Sequence, residues 1–303
     1  MIDYLIGADG GGTGTRVRLA RADGAALPAT LAQGRAGPSA LAHGIGNAWA
    51  AVQAATAEAF VGAGLALPPL ATIAIGLGLA GVHNKVWAAE FVAANPGFGA
   101  IALHTDGYTT LLGAHGGAAG VIVAIGTGSV GQALRRDGSE VEAGGWGFPA
   151  GDEASGGWMG LRAVNLVERV VDGRAPSSPF AEALIAACGA TGATNETRRD
   201  AIQVWLGRAN QTAYAQLAPI VVAHADSDDS ARAILAAAGL EVASLAHALD
   251  PSASLPLALC GGLGASLRTY LPAALAARCA APQGDAASGA LRMIVTHLKT
   301  AKP

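Results

Sequence analysis

The chain begins with two strand-like segments separated by glycines. The apolar residues 4–8 predict a buried strand, and the alternation of Val17 and Leu19 with Arg16 and Arg18 predicts a half-buried one. The residues between them, 9–13, read Asp-Gly-Gly-Gly-Thr, and no helix follows them. The familiar phosphate loops that open a helix are therefore excluded. Two interpretations remain: a hairpin whose bare backbone amides bind phosphate, and a plain flexible turn.

The rest of the first half continues as alternating strands and helices. Further strands are predicted at 25–32, 70–79 and 98–104, and helices at 39–62, 84–94 and 106–115. Asn84 is the expected N-cap of the second of these helices. Three strands followed by an alternation of helices and strands are typical of one α/β layered domain.

The pattern then restarts at Gly120. A strand at 120–125, the turn Gly-Thr-Gly-Ser at 126–129 and a strand at 130–135 repeat the N-terminal arrangement. The elements predicted after them are a strand at 140–143, helices from 153 and at 194–208, 211–223 and 227–249, a strand at 255–260, a glycine turn at 261–264, and helices up to 278 and at 285–298. Two like domains facing each other would aim two amide-lined hairpins at one cleft, an arrangement that suits a nucleoside triphosphate.

Composition narrows the class of protein without identifying it. The 303 residues suffice for two domains, and 19 Lys and Arg against 22 Asp and Glu give a net charge of −3 without a basic cluster. Nucleic acid is therefore not an expected partner. No membrane span is expected, because the longest apolar run, at 70–82, is short and rich in glycine. The start of the chain lacks a signal-peptide pattern and the three cysteines are scattered, which favours the cytoplasm.

Four motifs, in order, resemble those of the actin-like ATPase superfamily, also called the sugar kinase/Hsp70/actin fold. They are residues 9–13 and 126–129 as two phosphate motifs, His104-Thr-Asp106 as an acid-bearing connecting segment, and residues 259–264 as the adenosine motif. The segment 144–158, GGWGFPAGDEASGGW, is similar to the N-acetylglucosamine and glucosamine kinases of the BadF/BadG/BcrA/BcrD-type ATPase family. The resemblance covers essentially the whole chain. It implies an α/β fold of two ribonuclease-H-like domains facing an interdomain cleft.

The resemblance also implies a domain organisation and a set of ligands. The expected domains are residues 1–116, residues 117–284 with a helical insertion, and a C-terminal helix at 285–303 that packs back on the first domain. The implied cofactors are ATP and Mg²⁺, and the implied small-molecule partner is an amino sugar. The oligomeric state is not fixed by the sequence, and a homodimer is one arrangement that it allows.

The nucleotide-binding positions of the family correspond to residues in three turns. They are Gly10, Gly11, Gly12, Thr13, Gly126, Thr127, Gly128, Gly261, Gly262 and Gly264. Glycine lets the backbone approach phosphates and the adenosine closely, whereas the simpler interpretation is a set of turns between elements.

Two acids near these turns each have two interpretations. Asp106 is either the N-cap of a helix or, as the resemblance implies, the general base that deprotonates the sugar hydroxyl attacking the γ-phosphate. The two roles are compatible. Asp9 either stabilises its hairpin through an Asx-type hydrogen bond or, as the resemblance implies, faces Mg²⁺ through water.

A second group of residues is implied to contact the sugar. They are Ser39, Asp106, Gly128, Ser129, Gly145, Trp146, Gly147 and Asp152. Asp152 and Glu153 stand where a helix is predicted to begin, so capping is the simpler interpretation. A glycosidase pair is disfavoured because adjacent residues point in different directions. Ser39 lies where related amino-sugar kinases usually carry Asn, which puts the exact sugar in doubt.

The expected function is ATP-dependent phosphorylation of the 6-hydroxyl of N-acetylglucosamine, with Asp106 as general base. The alternative is a glucosamine kinase. A more distant one is an ATPase that activates a partner reductase or dehydratase through an iron–sulfur cluster held by cysteines. Against it, Cys188, Cys260 and Cys279 lie in unrelated contexts. A sugar-sensing regulator is also disfavoured, because the chain has no spare residues for a nucleic-acid-binding module.

Overall fold

Five strands form the first sheet, in the order β3-β2-β1-β4-β5. The computed structural model describes residues 1–25 and 28–300. The strands are β1 (Tyr4–Gly10), β2 (Thr15–Arg21), β3 (Thr30–Ala36), β4 (Ile73–Leu79) and β5 (Ala100–His104). The first three pair antiparallel, whereas β4 and β5 add to the other side of β1 in parallel. The carboxyl ends of β1, β4 and β5 therefore lie at one edge of the sheet.

Four strands form the second sheet, in the order β8-β7-β6-β9. They are β6 (Gly120–Ile125), β7 (Ser129–Leu134), β8 (Glu140–Gly144) and β9 (Leu257–Cys260). β7 and β8 pair antiparallel, and β9 pairs parallel with β6. Each sheet thus starts with an antiparallel hairpin around a glycine turn and adds a parallel strand beside the first.

The described residues, 1–25 and 28–300, form twelve helices. They are α1 (Ile45–Gly62), α2 (Lys85–Ala93), α3 (Asp106–Ala114), α4 (Gly156–Val171), α5 (Pro179–Ala187), α6 (Asn195–Leu206), α7 (Gln211–Ala215), α8 (Ala218–His224), α9 (Asp229–Leu249), α10 (Gly264–Leu267), α11 (Ala273–Ala276) and α12 (Ala286–Thr300). Short 3-10 segments occupy Leu41–His43, Leu70–Thr72 and Arg268–Tyr270.

Contacts between Cα atoms group the chain into two compact units. The first unit comprises residues 1–120, the turn at 136–138 and the chain from Ala281 onward; the second comprises Val121–Arg135 and Ser139–Ala280. The predicted boundaries at 116/117 and 284/285 stay predictions.

The first sheet is covered on both faces. On one face, Trp49 of α1 stacks on Phe91 of α2 with 4.1 Å between ring centroids, and its indole N–H donates to the Phe91 carbonyl. On the other face α12 packs so closely that a Cβ at Gly7 or Gly76 would overlap its backbone. The C-terminal helix is therefore an integral layer of the first unit.

The second unit buries the long helix α9 among α4, α8 and its own sheet. Ile234, Leu235, Ala238 and Val242 form its buried stripe. By length and composition α9 could cross a membrane, but core helices of soluble proteins pass the same test. The packing of this stripe accounts for part of its apolar character, since 39% of the apolar stretch is buried.

Several predicted boundaries differ from the structure. The third strand is Thr30–Ala36 instead of 25–32, and residues 26 and 27 lie outside the described part of the chain. The predicted helix 211–223 is divided into α7 and α8 near Pro219, and the one ending at 278 is broken before Pro272. Helix α5 was not predicted. Its signal was a Ser178 N-cap followed by proline at the first helical position.

Candidate active site

The first glycine turn joins β1 to β2 and leaves its tip open. The Gly11 N–H donates to the Gly14 carbonyl at 3.0 Å, which closes the turn. The Gly11 carbonyl accepts from the amides of Ser39 and Ala40 at 3.1 and 3.2 Å. A Cβ at Gly11 or Gly12 would meet nothing within 4 Å among the described residues. The backbone of the tip can therefore be approached closely by a ligand.

Gly10, in contrast, is enclosed. A Cβ at this position would overlap the Ser39 hydroxyl and lie 2.7 Å from a methyl carbon of Leu79. The two hydroxyls of Thr15 and Ser39 hydrogen-bond at 2.7 Å, and Thr15 also donates to the Gly37 carbonyl. Since Ser39 is fully buried, its hydroxyl serves to tie this loop to β2. Its predicted contact with a sugar stays a prediction.

Asp9 is the last residue but one of β1, directly before these glycines. Its side chain is 25% exposed, and one carboxylate oxygen lies 3.9 Å from Nε of Arg16. Burial raises the pKa of Asp9 to about 6; Arg16 opposes that rise, while Asp106 and Asp285 add to it. Asp9 is therefore ionised at neutral pH at some cost, which a bound cation would reduce.

The surroundings of Asp9 fit one particular way of holding Mg²⁺. Within residues 1–25 and 28–300, no group of three or more His, Cys, Asp or Glu residues could hold a metal ion. Mg²⁺ is usually held by one or two carboxylates together with waters and substrate phosphates. Asp9 at the base of an open glycine turn fits that arrangement, whereas an all-protein cage does not fit.

Asp106 lies at the same edge of the sheet, where β5 passes into α3. Register aligns Asp9 with Gly78 and Gly78 with His104, so the ends of β1, β4 and β5 are adjacent. The N-cap of α3 is Thr105, whose hydroxyl accepts from the Tyr108 amide at 3.2 Å. Asp106 is the first helical residue, and one of its oxygens accepts from the Gly107 amide at 2.9 Å. The capping interpretation of Asp106 is therefore wrong.

The second glycine turn, between β6 and β7, is tied down by the start of α4. The amides of Gly156 and Gly157 donate to the carbonyls of Gly126 and Thr127 at 2.8 and 3.1 Å. The Ser129 hydroxyl donates to the Glu153 carbonyl at 2.6 Å. The orientation of this turn is thus fixed by the segment that precedes and opens α4.

That segment has an unusual backbone. Gly145 and Gly147 have φ values of 71° and 86°, and the non-glycine residues Asp152 and Ala154 have φ of 58° and 65°. Asp is among the residues that tolerate this left-handed conformation. The N-cap of α4 is Ser155, which accepts from the Trp158 amide at 3.1 Å. Neither Asp152 nor Glu153 caps the helix.

The side chains of this segment differ sharply in exposure. Trp146 is 85% exposed, whereas Asp152 is only 7% exposed. Asp152 accepts a hydrogen bond from the side-chain amide of Gln211. The Oε2 atom of Glu153 is buried and has no hydrogen-bond partner among the described residues. A buried carboxylate oxygen without a partner calls for an explanation, and a bound donor is one.

The third glycine turn follows β9 and lies beside the second. Gly261 has a φ of 81°, and a Cβ there would overlap the carbonyl of Ile125, the residue before Gly126. The Leu263 amide donates to that same carbonyl at 3.1 Å. A Cβ at Gly262 would have open space, again counting described atoms only, and Gly264 opens the four-residue helix α10. Within the second unit, two of the predicted nucleotide turns are therefore adjacent.

Comparison with known proteins gives the family of this chain. The BadF/BadG/BcrA/BcrD ATPase family matches residues 6–263. The chain belongs to this family. Among its relatives, glucosamine kinase GspK of Vibrio cholerae is 30% identical over 294 residues, 96% of this chain and 95% of that protein. The family resemblance inferred from the motifs is confirmed.

Solved structures confirm the fold of this BadF/BadG/BcrA/BcrD family member. A structure from Chromobacterium violaceum, provisionally named N-acetylglucosamine kinase, is 50% identical with a TM-score of 0.90, over 97% of this chain and 99% of that one. A ROK-family glucokinase from Streptomyces griseus, solved with glucose and AMPPNP, is 17% identical with a TM-score of 0.53, over 98% and 100%. That second likeness shows the fold alone. The predicted class, two α/β domains of the actin-like ATPase type, is confirmed.

Proposed function

We propose that this protein is an ATP-dependent amino-sugar kinase that phosphorylates the 6-hydroxyl of N-acetylglucosamine. The observation that carries the proposal is the position of Asp106. Thr105, not Asp106, is the N-cap of α3, and Asp106 lies at the same edge of the sheet as Asp9. Membership of an ATPase family and similarity to GspK support the reaction class.

Asp106 acts as the general base in this proposal. It accepts the proton of the sugar 6-hydroxyl while that oxygen forms a bond to the γ-phosphorus and ADP leaves. One of its oxygens is held at the first turn of α3 by the Gly107 amide, which fixes the position of the carboxylate.

We assign the nucleotide to the three glycine turns. In the first unit, the phosphates lie against the turn formed by Gly10, Gly11, Gly12 and Thr13, where Gly12 and Thr13 offer backbone amides and Thr13 a hydroxyl. In the second unit, Gly126, Thr127 and Gly128 do the same, and Gly261, Gly262 and Gly264 approach the adenosine. Mg²⁺, when bound near Asp9, neutralises charge on the phosphates.

We assign the sugar to Asp106 and to the segment around Asp152. A carboxylate accepts from ring hydroxyls and an aromatic ring offers an apolar wall. The other sugar contacts in this proposal are Gly128, Ser129, Gly145, Trp146 and Gly147.

Glucosamine is the second candidate substrate, because GspK carries that name. N-acetylglucosamine is preferred on the name of the more similar Chromobacterium violaceum protein and on the sequence run Gly-Trp-Gly followed by Gly-Asp-Glu. A cytoplasmic location and small-molecule partners alone, with neither nucleic acid nor membrane, belong to the same proposal. A homodimer remains one arrangement to test.

A substrate screen tests the proposal. ADP release is measured with Mg-ATP and N-acetylglucosamine, glucosamine, N-acetylmannosamine or glucose, and the phosphorylated position is identified by phosphorus NMR. We expect the highest kcat/KM for N-acetylglucosamine and a 6-phosphate product. A higher value for glucosamine would overturn the choice of sugar only. If none of the four sugars causes ADP release, the proposed kinase activity is refuted.

A further inference from the structure

Gln211 lies far from every sequence motif yet contacts two residues of the proposed site. It is the first residue of α7, and the N-cap of that helix is Asn210, whose side chain accepts from the Ala213 amide at 3.1 Å. The side chain of Gln211 is therefore not needed for capping. Its Nε2 instead donates to Oδ2 of Asp152 and, at 3.2 Å, to the carbonyl of Thr127.

The chemistry of the partners fixes the orientation of this amide. A carboxylate and a backbone carbonyl can only accept, so the NH2 group, with its two hydrogens, must face both of them. The opposite orientation would place three acceptor oxygens together. We call these three residues, Thr127, Asp152 and Gln211, the amide bridge.

Two glycines leave the space that the amide bridge occupies. A Cβ at Gly128 would lie 2.6 Å from Oδ2 of Asp152 and 3.2 Å from Nε2 of Gln211. A Cβ at Gly157 would lie 3.0 Å from Cγ of Gln211. The bridge is thus enclosed between the second glycine turn and the start of α4, where other side chains would disturb it.

We propose that Gln211 is a positioning residue for the sugar, a role that rests on the proposed function. It holds one oxygen of Asp152, whose backbone is in the left-handed region, and leaves the other oxygen for ring hydroxyls. The amide donor adds no charge of its own beside the Asp152 carboxylate. The hydrogen bond to Thr127 links that carboxylate to the turn assigned to phosphate.

The decisive variant is Gln211→Glu, which keeps the shape but replaces the donor by a second carboxylate. At pH 8 we expect the KM for N-acetylglucosamine to rise by about tenfold to a hundredfold, since a hydrogen bond to a charged group is lost and a repulsion added. The KM for Mg-ATP should stay within about threefold. Gln216→Glu, the same change on an exposed residue just beyond α7, is the matched control and should resemble wild type.

Lowering the pH separates positioning from a merely structural role. Two neighbouring carboxyl groups share one proton readily, and the protonated one becomes a donor again. The KM of Gln211→Glu relative to wild type should therefore recover as the pH falls from 8 to 5.5, whereas Gln211→Ala should show a constant ratio.

A double-mutant cycle completes the test. If Gln211 acts through Asp152, then Gln211→Ala should change the sugar KM by less than about threefold in an Asp152→Ala background. Additive effects would overturn the proposal, as would a Gln211→Glu variant whose sugar KM equals that of Gln216→Glu at pH 8. Thermal unfolding by circular dichroism identifies variants that lose their fold. Wild-type protein without sugar-dependent ADP release would refute the proposed function itself, a separate outcome.

Discussion

The two glycine turns that follow β1 and β6 have the same place in their sheets but are held in different ways. The first turn is anchored at its flank, through the Gly11 carbonyl and the loop at Ser39, and its tip is open. The second turn is tied by the start of α4 and by Gln211. The second turn is thus held at the carbonyls of Gly126 and Thr127, whereas the tip of the first, at Gly11 and Gly12, has open space among the described residues.

The turns also differ in the residue at the end of the strand. Asp9 precedes the first turn, and Ile125 precedes the second. The acid beside the first turn therefore belongs to the strand itself, whereas the carboxylate nearest the second turn, that of Asp152, comes from the segment before α4. Similar backbones thus provide different chemistry, and the following variants test that contrast, beginning with the largest expected effect.

Asp106→Asn should abolish base catalysis in the first unit. The amide keeps the shape but cannot accept the proton, so kcat should fall by about 10²–10⁴-fold with little change in ATP affinity. The matched control is Thr105→Ala, which removes the helix cap and should cost about 1 kcal/mol of stability without a comparable loss of kcat. Steady-state kinetics and calorimetric ATP binding measure both. Near wild-type turnover of Asp106→Asn would refute the general-base role.

Asp152→Ala should affect binding in the second unit instead. Loss of a charged acceptor for ring hydroxyls should raise the sugar KM by about tenfold to a hundredfold and leave the ATP KM within a few-fold. The contrast with Asp106→Asn, which acts on kcat, would separate the two units by function. Equal increases in both KM values would show that Asp152 only supports the second turn.

Gly10→Ala and Gly11→Ala separate an enclosed glycine from an open one within the first turn. A Cβ at Gly10 overlaps Ser39, so we expect a loss of about 1–3 kcal/mol in the free energy of unfolding. Gly11→Ala should change it by no more than about 0.5 kcal/mol. Urea unfolding measures both, and equal losses would show that the tip is not open. Gly11→Val should in addition weaken ATP binding more than sugar binding.

Much of this arrangement could be predicted from sequence, because strand alternation and glycine motifs are local signals. The hairpin at 9–13, the helix capped by Asn84 and the acid that follows β5 are of this kind. Gln211 could not be found, since it lies 59 residues from Asp152 and nothing in its neighbourhood indicates the contact. The burial of Ser39 was also hidden, because a short loop does not reveal which strand it packs against.

Asp9→Asn tests how much the buried carboxylate beside the first turn lowers the free energy of unfolding. The folded chain binds the proton of the Asp9 carboxyl group more tightly than the unfolded chain does, with a pKa of about 6 against an ordinary 3.8. Unfolding free energy is therefore lost as the pH rises between those values. Removing the charge should therefore stabilise the ligand-free protein above pH 6, by about 2–4 °C in Tm, and less below pH 4. The exposed Asp200→Asn is the control. If Asp9→Asn is less stable than wild type at pH 8, the pKa of Asp9 is not raised in the folded chain.

Ser39→Ala should have the smallest effect and decides between two roles for this hydroxyl. If it only ties the loop to β2, its loss removes one hydrogen bond and should cost about 1 kcal/mol, with the sugar KM within about twofold of wild type. Thr15→Val removes this bond and the one to the Gly37 carbonyl as well, so its loss of stability should be larger, again without an effect on the sugar KM. Because Ser39 is fully buried, we expect this result. A sugar KM raised more than tenfold at unchanged stability would instead establish Ser39 as the sugar contact inferred from the sequence, since a residue that serves only the loop cannot change binding without changing unfolding.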